Sequence, residues 1–364
     1  MLFPIAVNFA LILLTSSAAR EISDADCTIT SYSQVQPVVA KCKNIVISNL
    51  EVPAGEQLVL DLQDDTDLTF EGVTTFGVAH WPGHLVVVKG HHVHVTGAPG
   101  SMLDAQGEKY WDYQGGAGGV TKPKFLLIQT TGGSVFRNLY LHNCAHFCVG
   151  VGATDLTITG FILDSVAGDK DRIALNTDGF GISSHSNNIL IENTVIMNQD
   201  DCIVVNQGTN MVFRNLRCFG SHGLSFAVGF GGKDKPEEDS VASNITFENC
   251  LVANGLYGIH VKAGPDFNKG RIENVVYRNI QLAGITEDGI YIQEDYGDIG
   301  NSDSLVKIRN LTIENVWGSV QGDLTRPVHV ACGKGTCSDW TFSGINILGG
   351  GKSYCNYKPE GFSC

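Results

Sequence analysis

Short segments in which apolar and polar residues alternate follow one another along the chain: DLTFEG (67–72), VHVTG (93–97), SVFRNLYLHN (134–143) and DLTITGFILD (155–164). Alternation with period two in runs rich in Val, Ile, Phe and Tyr predicts strands. Stretches able to carry a ten-residue amphipathic helix are scarce after Cys42. A motif of the form Asn, apolar, x, apolar, x, Asn recurs as NILIEN (188–193), NMVFRN (210–215), NITFEN (244–249) and NVVYRN (274–279), with a degenerate copy at VKIRN (306–310). The intervals between successive copies fall in the range that signals a solenoid. A unit of this length with several short strands and no crossover helix predicts one coil of an all-β parallel β-helix. Asparagines at equivalent turns are expected to stack as ladders, each amide bonding to the next coil. A propeller fits less well, because its blades need about 40 residues each.

The 364 residues are 43% hydrophobic and 17% charged, which excludes a disordered tail or a coiled coil. Glycine, at 43 copies without a Gly-X-Y period, fits a chain of tight turns. No linker or compositional shift interrupts residues 20–364, so one domain is expected. Basic residues number 24 against 38 acidic, a net charge of −14, and no Lys/Arg cluster offers a nucleic-acid footprint. The same charge repels a polyanion, so an acidic substrate would need locally placed cations.

Residues 1–19 form an apolar run ending in Ser17-Ala18-Ala19. They read as a signal peptide and not as an anchor, because Asn8 interrupts a stretch already short of about 20 residues. The sequons at Asn244 and Asn310 agree with a secreted, extracellular protein. Eleven cysteines in such a chain imply several disulfides and one unpaired thiol. Spacing suggests Cys27 with Cys42, Cys202 with Cys218, Cys332 with Cys337 and Cys355 with Cys364. Cys144, Cys148 and Cys250, lying among apolar strand residues, are expected as buried small hydrophobes.

The polar residues repeat with the coil. Asp178 in NTDGF, Asp200 in NQDDC and His222 in GSHG are evenly spaced, at the same interval that separates NILIEN from NMVFRN, which predicts equivalent places on successive coils. Parallel strands lie about 4.8 Å apart, so these groups would stand in a row with Asp201 beside them. A single Asp-Gly or Asp-Asp pair is an ordinary turn feature. Three acid–base groups in one register, joined by Lys262 a coil further on, are costly for folding alone and raise at least one carboxyl pKa. A protonated carboxyl beside carboxylates that hold a water is what glycoside hydrolysis requires, and a water between acid and base predicts inversion. No metal site or cofactor is expected. GFGG (229–232) lacks the following helix of a phosphate loop, and the Asp200-Asp201 pair fits hydrolysis better than calcium-assisted elimination.

NTDGF, NQDDC, GSHG and HVK, in this order, resemble the polygalacturonase family of pectin-cleaving glycoside hydrolases. WDYQGG and KPKF within 111–125, IQEDY (292–296) and CGKGTCSDWTFSGINI (332–347) resemble its secreted endo-acting members. The resemblance implies a right-handed parallel β-helix and the four local disulfides. It implies Asp200 as the general acid, Asp178 and Asp201 as activators of the hydrolytic water, and His222 as the group tuning the acid. Lys262 would bind a galacturonate carboxylate, Asn176 would order the aspartates, and Tyr296 would line the cleft. The family reads Arg-Ile-Lys where this chain has His260-Val261-Lys262, and histidine lacks the permanent, bidentate charge of arginine. Two expectations follow: an endo-polygalacturonase, acting as a monomer on homogalacturonan, or a weakened member that binds pectin fragments or a plant inhibitor protein or acts on a modified pectin. If His260 grips a carboxylate, affinity should fall as pH rises through the imidazole range.

Overall fold

The structure, a computed structural model, describes residues 27–183, 186–297 and 302–364. The expected signal peptide at 1–19 lies outside the described residues. No helix among the described residues is long and apolar enough to cross a membrane.

The chain winds as a parallel β-helix. Its cleft-bearing face is an 11-stranded parallel sheet running from Leu58–Asp61 through Lys124–Thr131, Val149–Val151, Phe180–Ile182, Ile203–Val205, Leu224–Val228, Tyr257–Ala263 and Asp288–Gln293 to Tyr354–Cys355. A second, 19-stranded assembly carries the Asn-flanked segments. In it, the short paired strands of the early coils give way to long bent strands at Val241–Ala253, Lys269–Ile285 and Leu305–Val320. The alternation in the sequence explains the burial: in Asn187–Glu192, Ile189 and Ile191 point inward while Leu190 between them is half-exposed. One continuous hydrophobic core fills the coils, including a run of rings Phe213, Phe247 and Tyr277 spaced 4.8 and 4.7 Å apart.

The asparagine ladders form as expected. Asn215 donates to Asn193 (3.1 Å), Asn279 to Asn249 (3.0 Å) and Asn315 to Asn279 (3.3 Å); a second file links Asn244 to Asn210 (3.1 Å) and Asn310 to Asn274 (2.7 Å). All these residues have φ between 49° and 58°, the left-handed region that asparagine tolerates better than other side chains. The register corrects one repeat boundary: Val275 pairs with Leu311, so the copy in step with the others is NLTIEN (310–315) and not VKIRN. Asn244 and Asn310, the two sequon residues, are exposed, and the amide nitrogen that would carry a glycan is the ladder donor in each.

The N-terminal end of the core is covered by the one-turn helix Val35–Val39, which buries Val35, Val38 and Val39 and closes the open sheet edge. Four disulfides join the expected pairs. A fifth, Cys144–Cys148, corrects the reading of those two residues as unpaired: the turn between Tyr140–His142 and Val149–Val151 brings their Cα atoms to 5.3 Å, within disulfide reach. Cys250 is the free thiol, buried, with its ionisation pushed up to about 12 by burial.

Candidate active site

The acidic residues gather in a cavity of about 350 Å³ on the 11-stranded face, lined by Asn176, Asp178, Asp200, Asp201, His222, Tyr257, His260, Lys262 and Tyr296. All eight residues expected in the site are therefore brought together. The register departs from the even spacing of Asp178, Asp200 and His222. Phe180 pairs with Ile203 and Ile203 with Leu224, so the first of these coil steps is slightly longer than the second. Two positions earlier, the file on successive coils is Asp178, Asp201 and His222, with Asp200 beside it.

Each aspartate has a different environment. Asp200 is the most accessible of the three; its carboxylate accepts from the Asp201 backbone N–H (2.7 Å), His222 Nδ1 (3.1 Å) and Asn176 Nδ2 (3.1 Å). Burial opposes its ionisation, but the His222 bond and charge and the Lys262 charge prevail and hold Asp200 below the usual carboxylate range. Asp201, 2% exposed, accepts from Lys262 Nζ (2.5 Å) and Ser225 Oγ (2.6 Å). Burial and the Asp200 charge nonetheless push it upward against the lysine's pull. Asp178 is 5% exposed, and its Oδ1 makes no hydrogen bond among the described residues. Burial, then Asp200 and Asp201, raise it well above the ordinary value. Burial and like charge thus favour the protonated form most at Asp178, whereas the sequence reading gives the general-acid role to Asp200, which is lowered. Lys262 is stabilised as the cation by Asp201, with Asp200 and Asp178 adding to that hold, despite its burial.

Asn176 sits at φ 57° and links two parts of the site: its amide donates to Asp200, while its Oδ1 accepts from Gly116 N (2.9 Å). Tyr296 is 41% exposed at the cleft wall, with its ring edge-on to Phe230 at 5.4 Å. His260 lies on the floor, 3% exposed, its ring 4.1 Å from that of Tyr257 and stacked 5.7 Å from Tyr291. One ring nitrogen bonds to Gln293 (2.6 Å), and burial, reinforced by Lys262 and His222, keeps the imidazole neutral by lowering its pKa well below the usual value. The expected ionic grip by His260 is therefore not available in the neutral range.

Single ligand atoms of Asp200, Asp201 and His222 lie within 4.8 Å of one another, close enough for a metal. Their chemistry fits a cation poorly, since Lys262 already supplies the positive charge at Asp201 and His222 engages Asp200. Three supporting residues carry no motif of their own. Asn198 donates to the carbonyls of Thr177, Asp200 and Asp201 (2.9 to 3.0 Å) and so fixes the backbone of two coils. Ser225 holds Asp201, and Phe147 forms the cleft floor. Their signal in the sequence is proximity alone: Asn198 opens NQDD and Ser225 follows GSHG.

Comparison with known proteins places the chain in a family. The chain is 42% identical over 363 residues to a polygalacturonase of Phaedon cochleariae, covering 96% of each chain. It is 38% identical over 343 residues to endopolygalacturonase I of Aspergillus niger, covering 93% of this chain and 91% of the other. Among solved structures, endopolygalacturonase I from Stereum purpureum, complexed with two galacturonate, superposes with a TM-score of 0.80 at 28% identity, covering 92% of this chain and 99% of that one. Residues 42–364 match the family described as Glycosyl hydrolases family 28, and this chain belongs to that family.

Proposed function

We propose that this protein is a secreted, endo-acting hydrolase of the α-1,4-galacturonosidic bonds of homogalacturonan. The observation that carries the reading is the cluster of three aspartates in three unlike environments with Lys262 and His222 among them. Asp200, the accessible member, protonates the leaving glycosidic oxygen, while Asp178 and Asp201 hold the water that attacks the opposite face, with inversion at the anomeric carbon. Asp200 must carry the proton at that step and Asp178 must give it up. A substrate carboxylate against Lys262 weakens that lysine's hold on the ionised Asp201 and Asp200, and the proton is redistributed within one tightly coupled set. Lys262 retains donor capacity beyond Asp201, because an ammonium has three N–H bonds, and it serves a uronate carboxylate.

The test is incubation with polygalacturonate and with highly methyl-esterified pectin, following reducing ends and viscosity together. Viscosity falling early, at little bond cleavage, is the endo signature; no release from either polymer by folded protein refutes the reading. A second reading is favoured by His260: a neutral imidazole packed between Tyr257 and Tyr291 suits an uncharged, esterified sugar better than a carboxylate. On that reading the methyl-esterified polymer is the better substrate. Secretion, a monomeric state and recognition by a plant inhibitor protein remain expectations of the family.

A further inference from the structure

A second cavity of about 320 Å³ lies toward the N-terminal coils, lined by the Gly115–Val120 loop, Lys122, Lys124 and His146. The loop is braced. Lys122 Nζ binds Asp112 (2.8 Å) and the carbonyls of Gly115 and Val120 (3.0 and 3.1 Å), and Gly116 N is held by the same Asn176 that donates to Asp200. Gly119, at φ 68°, has the Asp112 carboxylate where a Cβ would sit, so the wall stays bare of side chains there. Lys124 differs from Lys122: among the described residues no carboxylate pairs with it. Its ammonium lies 4.8 Å from the centroid of Phe147, which lines the central cleft and stacks on His146 at 4.6 Å.

The sheet register connects the two cavities. Leu126 pairs with Val149 and Val149 with Phe180, so two residues earlier Lys124, Phe147 and Asp178 stand in one file, continued by Asp201. Lys124 is thus two coil steps, about 10 Å, from Asp178. We infer that this cavity is a further subsite in which the Lys124 ammonium, backed by the Phe147 ring, takes the carboxylate of a uronate flanking the one being cleaved, with the glycine loop as wall. The inference rests on the proposed function for its ligand class. It answers how a chain of net charge −14 holds a polyanion: a local cation is needed away from the aspartates, and Lys122 is already neutralised by Asp112. His146 in the cavity wall and His84, which pairs with Lys124 on the neighbouring strand, add no charge above pH 5, since burial, reinforced by Lys124, lowers each to about 4.

The test is calorimetric binding of hexagalacturonate to Asp200→Asn protein, which turns substrate over too slowly to consume it, with and without Lys124→Met. Methionine keeps the apolar stem against Phe147 and removes only the charge. Loss of one charge-assisted contact should weaken binding about 10-fold at 50 mM salt, and the gap should narrow as salt is raised. Lys124→Arg should bind like the parent. Equal affinity of Lys124→Met and parent overturns the subsite while leaving the proposed function standing; failure of folded parent to bind hexagalacturonate overturns both. Lys124→Gln is a second neutral variant to be used if the methionine does not fold, with the same two outcomes.

Discussion

The asparagine ladders and the acidic file both set polar side chains at one place on successive coils, asparagine throughout in the ladders and Asp178, Asp201 and His222 in the cleft, with opposite energetic results. In the ladders each amide offers both a donor and an acceptor, so Asn279 gives to Asn249 and receives from Asn315, and repetition stabilises. In the cleft, ionised carboxylates accept only. Asp178 is left with a buried oxygen unbonded among the described residues, and Lys262 and His222 are needed to hold its neighbours. Repetition there stores strain that a hydrolase uses and that a purely structural coil would avoid.

The largest effect expected from breaking the contrast on the cleft side is at Asp200. Asp200→Asn should retain oligogalacturonide binding but lower turnover at least about 100-fold, the lower range for a positioned general acid; near-normal hydrolysis would remove it from the mechanism. On the ladder side, Asn279→Ala removes two hydrogen bonds and places alanine at φ 55°. A loss of about 1 to 3 kcal/mol is expected in denaturant unfolding. Asn279→Gly, which relieves the φ but not the bonds, should lose less.

Asp178→Asn should have the opposite sign. The carboxyl is raised well above its unfolded value, so wild-type stability falls as pH climbs from the unfolded pKa, about 3.9, through the folded one. The neutral variant escapes that loss. It should melt a few degrees higher at pH 7, and the gain should vanish near pH 3.5 where both proteins carry a neutral group. A melting gain that is the same at both pH values would place its origin in packing and not in charge.

The smallest effect concerns His260. With a neutral ring throughout, KM for polygalacturonate should show no inflection attributable to this residue between pH 5.5 and 7.5, unlike the sequence expectation. His260→Arg should lower KM for polygalacturonate a few-fold and leave esterified pectin unimproved. A wild-type KM that rises through pH 6.5 and becomes flat in the arginine variant would restore the ionic role.

How much of this is legible in the sequence follows the same division. Period-two alternation and the Asn repeat specify the coil, since inward residues and left-handed turns are local demands that a sequence meets openly. The aspartates, His222 and Lys262 are legible because charge recurring at coil spacing has no cheap structural purpose. Their register is not, because a longer coil step followed by a shorter one spans the same length of chain as two even steps and conceals the slip that aligns Asp178 with Asp201. Cys144–Cys148 escapes notice since closely spaced cysteines among apolar residues read equally as core. Phe230 and Ser225 sit on ordinary strands or turns, and only the winding brings them against Tyr296 and Asp201.

The central claim, that Asp200 gives a proton while water held by Asp178 and Asp201 attacks the far face, is tested most directly by proton NMR of the first product during cleavage of an oligogalacturonide. The account predicts that the newly formed reducing end appears first as the inverted β-anomer and equilibrates afterwards. Initial appearance of the α-anomer would mean a covalent intermediate and would contradict the roles given to Asp178 and Asp201.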